Sequence, residues 1–158
     1  LGRALEMDVI AWSQNLTAER CAEAGARLVT KDELLRLSDV ISIHVVLSAR
    51  SRGLFGAQEL GLMKSTAYLV NTSRGPIVDE KALVAALQQK RIAGAGIDVF
   101  DVEPLSKDHP LRKLDNAVLT GHTGYVIGEF FRVAYGEAVE DVAAWLAGKP
   151  LRLLNPPV

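Results

Sequence analysis

Cysteine, aromatic residues and surplus charge are all scarce in this sequence. Cys21 is the only cysteine among 158 residues, so no intrachain disulfide can form and a disulfide-stapled secreted fold is excluded. The expected compartment is the reducing cytoplasm. Lys and Arg number 18 against 19 Asp and Glu, giving a net charge of −1 with no cationic block. Nothing therefore marks a nucleic-acid backbone or an anionic membrane surface as a partner. The three histidines, His44, His109 and His122, are scattered without metal-ligand spacing, so no metal is expected. No apolar run approaches the ~18 residues of a membrane span. The opening LGRALEMDVI has no basic stretch leading into a long apolar one. A protein that is soluble, neither secreted nor anchored, is the expectation.

What the chain does have is apolar content: 49% of its residues are hydrophobic, enough for one compact domain with a real core. Five short segments rich in Val, Ile and Leu recur along it: residues 8–12 (DVIAW), 39–44 (DVISIH), 66–71 (TAYLVN), 93–99 (AGAGIDV) and 116–121 (NAVLTG). Continuous apolar runs of this length predict strands buried on both faces of a parallel sheet. Helical stretches lie between them. Thr30 followed by Glu33 predicts a capping box at the head of a helix over residues 31–37. Asp79 predicts the cap of another that runs through Lys90 and Arg91 and ends at Gly94. From Ile127 to Leu146 the apolar residues Phe130, Phe131, Ala134, Ala138, Val142, Trp145 and Leu146 follow helical spacing, and Gly148 and Pro150 stop it. Strand and helix in alternation predict a doubly wound α/β sheet with right-handed crossovers.

In such sheets ligands bind beyond the carboxyl ends of the strands. Those ends carry Ser13, His44, Thr72 with Arg74, Asp98, and His122, which are polar residues following apolar strand bodies. Taken singly, Arg74 reads as a turn residue paired with Asp79, Glu103 as a solvated loop carboxylate, and His122 as a hydrogen-bonded loop residue. His44 reads equally as a pocket residue or a structural histidine at a strand end, and Trp12 as a packing residue. Gly75, beside Arg74, suits a left-handed turn or a close backbone approach.

Three motifs change the weight of these readings: NTSRGPIVDE (residues 71–80), AGIDVFDVEPL (95–105) and TGHTG (120–124). In this order and approximate spacing they resemble the D-isomer-specific 2-hydroxyacid dehydrogenase family, which includes glyoxylate and hydroxypyruvate reductases and phosphoglycerate dehydrogenase. The resemblance runs from about Met7 to the tail LRLLNPP. It implies a Rossmann-type domain and an oxidoreductase that transfers a hydride between NAD(P)H and a 2-oxo acid or D-2-hydroxy acid. It also implies a catalytic set of Arg74, Glu103 and His122. An arginine fork can grip a carboxylate and polarise the neighbouring keto oxygen. A protonated histidine can supply the proton as hydride arrives, and Glu103 would orient it and favour its imidazolium form. For the cofactor, the resemblance assigns Asp98 to the nicotinamide carboxamide and Thr72 and Ser73 to the nicotinamide ribose region. It adds Val46, where the family commonly has Pro, with Ser13, Arg74, His122 and Gly124 completing the lining.

The departures are informative. The glycine-rich loop that seats a pyrophosphate on the first helix is absent, so the expectation is a Rossmann-type sheet without its first strand and glycine loop. Ser13 replaces the acidic residue that usually recognises the adenosine ribose, so a 2′-phosphate is repelled less, but no nearby arginine before Arg20 stands ready to receive one; NAD is expected, with NADP left open. Gly121 and Thr123 stand where Pro and Ile are usual. Residues 1–124 are expected to form an incomplete NAD(P)-binding domain. Residues 125–158 are expected to supply a helix and tail that pack toward a separate substrate domain. A homodimer is expected of the complete enzyme. Two further readings remain open: a dinucleotide-sensing binding or corepressor-type member of the family, and an inactive fragment.

Overall fold

The computed structural model describes residues 1–154; residues 155–158, the end of the LRLLNPP tail, lie outside them. The chain forms two compact units, Leu1–His122 and Thr123–Val158. The first holds six parallel strands and four helices. Strands β3 (Val40–Ile43), β4 (Tyr68–Asn71), β5 (Gly94–Ile97) and β6 (Ala117–Leu119) make one sheet in the order β3-β4-β5-β6. Strands β1 (Ile10–Ala11) and β2 (Arg27–Leu28) pair separately. The helices are α1 (Ala18–Glu23), α2 (Lys31–Leu37), α3 (Ala57–Leu62) and α4 (Glu80–Gln88).

The four-stranded sheet advances one strand at a time in one direction. Right-handed crossovers of that kind put every connection on the same face. Leu35 of α2, Leu60 of α3 and Leu83, Ala86 and Leu87 of α4 accordingly join one buried cluster with Ile41, Ile43, Leu69, Ala95 and Ile97 of the sheet. Contrary to what their continuous apolar runs predict, the strands are not buried on both faces. Val40, Tyr68 and Val118 point to the other face and are 47%, 52% and 71% exposed. The apolar runs are continuous, but the pleat divides them between a core face and an open one.

Helix ends follow local chemistry. The Thr30 hydroxyl accepts the Glu33 N–H at 3.2 Å while Glu33 Oε2 accepts the Thr30 N–H at 2.8 Å, the capping box expected for α2. Asp79 caps α4 through the Ala82 N–H at 3.0 Å. That helix ends at Gln88, however, and not at Gly94. Lys90 takes a left-handed φ of 52° that turns the chain out of the helix, and Gly94 opens β5. Lys90 and Arg91 thus lie past the helix, and the Arg91 guanidinium donates to the Gly61 carbonyl. A predicted strand over residues 8–12 shortens to Ile10–Ala11, and β2, α1 and α3 carry too few residues to show a periodicity.

Glu59 ties α2 to α3. Its carboxylate accepts the Gly56 N–H at the head of α3 at 3.0 Å and the Lys31 ammonium at 2.8 Å. Burial pushes this carboxyl up, yet the Lys31 bond and the backbone N–H groups outweigh burial and hold it below the usual carboxylate range. A lowered folded value means the contribution is present above about pH 4.3 and is lost as pH falls through the folded value. Glu59→Ala removes a cap and a half-buried ion pair together. Urea unfolding should show a loss of about 1–3 kcal/mol.

In the second unit, α5 (Gly128–Leu146) is the long helix expected over residues 127–146, and Gly148 follows its end at φ 71°. None of its residues is buried. The Arg152 guanidinium folds back on it, 2.7 Å from Glu140 and 3.0 Å from Asp141.

Candidate active site and cofactor face

Three strand ends build the site. At the end of β4, Asn71 is 1% exposed, and its side-chain amide organises the turn that follows. Its Oδ1 accepts the Ser73 N–H at 3.0 Å and its Nδ2 donates to the Arg74 carbonyl at 3.0 Å. An Asn entering a turn reproduces backbone turn bonds in this way, a signal present in NTSRG that the sequence reading did not use. Ser73 Oγ donates to the Ile43 carbonyl at 2.8 Å, fastening the turn to the end of β3. Thr72 and Arg74 are exposed on it. Arg74 Nη1 donates to the Ser73 carbonyl at 2.6 Å. Among the described residues no ion pair joins Arg74 to Asp79, whose side chain caps α4 instead.

Gly75 then passes against the chain after β5. Of its two sequence readings, close approach is the one observed. A Cβ at Gly75 would overlap the Phe100 carbonyl group and stand 2.6 Å from the Asp101 nitrogen. Backbone cannot yield as a flexible side chain does, so Gly75→Ala must separate the Arg74 turn from residues 100–101. Overpacking of this kind costs about 1–3 kcal/mol or more. Thermal unfolding of the variant should show it, together with shifted amide resonances at Phe100 and Asp101.

At the ends of β5 and β6, Asp98 is 4% exposed and accepts the Thr120 hydroxyl, while its carbonyl accepts the His122 N–H at 2.7 Å. His122 adopts φ 57°. A left-handed conformation is uncommon outside glycine, and His is among the types that tolerate it. Here it turns the imidazole so that Nδ1 lies 2.7 Å from Glu103 Oε2. Glu103 Oε1 in turn accepts the Phe100 N–H at 2.9 Å. The His122 hydrogen bond, the Phe100 N–H and the nearby Arg74 charge hold the Glu103 carboxyl below the usual carboxylate range. An ionised carboxylate only accepts, so Nδ1 carries a hydrogen and Nε2 is the atom at which a proton can be exchanged.

The remaining sequence-selected residues are spread around these ends. Val46 is exposed in the loop after β3, and its carbonyl accepts Ser51 Oγ at 2.7 Å. His44 Nε2 lies 2.8 Å from Ser42 Oγ. Ser13 follows β1, away from the four-stranded sheet in sequence and in pairing, and Gly124 belongs to the second unit. A buried carboxylate at the end of β5, flanked by the hydroxyl-bearing turn after β4, suits a carboxamide donor and ribose hydroxyls. The donor set therefore fits a nicotinamide group.

Residues 1–124 match the family profile described as D-isomer specific 2-hydroxyacid dehydrogenase, NAD binding domain. The chain belongs to the D-isomer specific 2-hydroxyacid dehydrogenase family. It is 43% identical over 156 residues to a glyoxylate reductase of Aeropyrum pernix, covering 98% of this chain and 47% of that protein. An oxidoreductase of Ralstonia solanacearum has the same fold with a TM-score of 0.90 at 36% identity, over 98% of this chain and 46% of that one. A D-lactate dehydrogenase of Aquifex aeolicus, solved with NAD and lactic acid, gives a TM-score of 0.84 at 31% identity, over 94% of this chain and 49% of that one. This family member thus spans about half the length of the relatives it matches. The parallel sheet with its flanking helices is the Rossmann-like part of the family fold.

Proposed function

We propose that the protein interconverts 2-oxo acids and D-2-hydroxy acids with a nicotinamide dinucleotide, and that this chain supplies the cofactor side and the proton-transfer group. The observation that carries the reading is the 2.7 Å bond between His122 Nδ1 and an ionised Glu103 at the carboxyl end of the sheet. The nicotinamide, when bound, supplies the hydride to C2 of the oxo acid. Arg74 grips the substrate carboxylate and polarises the keto oxygen. His122 delivers the proton from Nε2, and Glu103 orients its ring. Asp98 accepts from the carboxamide, while Thr72, Ser73, Val46 and Ser13 line the rest of the dinucleotide path.

NAD is the proposed cofactor, with NADP the alternative that a comparison of KM for NADH and NADPH decides. The single buried thiol of Cys21 suits a reducing cytoplasm, and no helix among the described residues is long and apolar enough to cross a membrane. A homodimer is proposed from the family resemblance, and sedimentation of the intact protein checks it. The assay for the main reading is NADH oxidation by the intact protein with glyoxylate and hydroxypyruvate. Turnover with neither, nor with any other small 2-oxo acid, would count against it.

A further inference from the structure

Glu103 sits in the connection between β5 and the short 3-10 turn Pro110–Lys113, and both ends of that connection meet one side chain. Glu80, the first residue of α4, places Oε1 2.9 Å from His109 Nε2 and accepts the Asp101 N–H on Oε2 at 3.4 Å. His109 Nδ1 accepts the Leu111 N–H at 3.3 Å, so Nε2 carries the hydrogen that Glu80 receives. The two side chains are 23% and 18% exposed, which screens this bond less than a surface pair. Next to the first anchor, Phe100 N–H binds Glu103 Oε1, and between the anchors Glu103 Oε2 reaches His122. Arg112 closes the far end by donating to the carbonyls of Leu105 and Ser106 at 3.0 and 2.9 Å.

The surroundings are acidic. Burial, then the charges of Glu80 and Asp79, push the Asp101 carboxyl above its usual range, and Arg52 and His109 oppose them. His109 joins this cluster to the far end of the loop, with Nε2 on Glu80 and Nδ1 on the Leu111 N–H.

We propose that Glu80, through His109 and the Asp101 N–H, is a positioning residue that sets the loop carrying Glu103 and so holds His122 in its working orientation. The part concerning catalysis rests on the reading of His122 as proton donor; the part concerning the loop does not.

Amide exchange in the chain itself tests the loop. In Glu80→Ala the Phe100 amide, which reports the bond to Glu103, should exchange at least about tenfold faster while Leu69 in β4 stays within about twofold. Glu80→Gln, which keeps an acceptor oxygen, should fall between. Unchanged exchange at Phe100, or equal acceleration at Phe100 and Leu69, would overturn the proposal. In the intact protein, Glu80→Ala should lower kcat at least about tenfold with KM for NADH and oxo acid within about threefold, and should add little in a Glu103→Gln background. Fully additive effects would show that Glu80 does not act through Glu103. Absence of turnover in the unsubstituted protein would contradict the proposed function and leave the exchange result to decide the loop.

Discussion

Arg74→Ala is expected to lower kcat/KM for a 2-oxo acid by a hundredfold to ten-thousandfold, with most of the loss in KM. A forked guanidinium makes two charge-assisted hydrogen bonds to a carboxylate, each worth roughly 1.5–3 kcal/mol, and every 1.4 kcal/mol is tenfold. The guanidinium is exposed on a turn whose backbone is fixed by Asn71, Ser73 and the close passage of Gly75. Its one hydrogen bond among the described residues, to the Ser73 carbonyl, leaves most of its five donors for a ligand. Arg74→Lys should rescue only partly, because an ammonium cannot match the planar carboxylate at two points. Steady-state kinetics with glyoxylate and hydroxypyruvate provide the check. Unchanged constants in both variants would remove Arg74 from the substrate.

His122→Asn should cost turnover about 10²–10⁴-fold, the usual contribution of a positioned general acid. Stability should fall by no more than roughly 1 kcal/mol, since Asn accepts the left-handed conformation that His122 occupies at φ 57° and the pair lost with Glu103 is 34% and 35% exposed. The combination separates chemistry from folding. Glu103→Gln replaces the anion with a neutral group, so the basic limb of the reduction rate profile should move to lower pH. On the acid side, Glu103 is held below its usual range by its bond to His122 first and by the Phe100 N–H next. The contribution of the pair is therefore full above about pH 4.3 and is lost only as pH falls through the lowered folded value. A rate profile indifferent to both substitutions would mean that another group supplies the proton.

Much of this site is legible in the sequence because its parts are local. The Thr30 and Glu33 capping box, the Asp79 cap and the strand-end positions of Arg74, Asp98 and His122 all depend on neighbours a few residues away. Pairing across the chain is less legible. Glu103 reaches His122 over 19 residues and Glu80 reaches His109 over 29, so no spacing rule links either pair; the family resemblance implies the first, and only the folded loop shows the second. The end of α4 is misread for a related reason. Lys90 and Arg91 look like residues that suit a helix carboxyl terminus, yet the left-handed turn at Lys90 is imposed by the return into β5. Burial is the other gap. An apolar run such as YLVN shows that a strand is hydrophobic, but not that Tyr68 faces outward while Leu69 is sealed in the core.

The stereochemistry of the product tests the central claim most directly. The intact protein, given NADH and hydroxypyruvate, should form D-glycerate in step with NADH consumed, and His122→Asn should still bind NADH, with affinity within about tenfold, while product formation nearly stops. Formation of L-glycerate, or of D-glycerate at the same rate in both proteins, would contradict the assignment of this site.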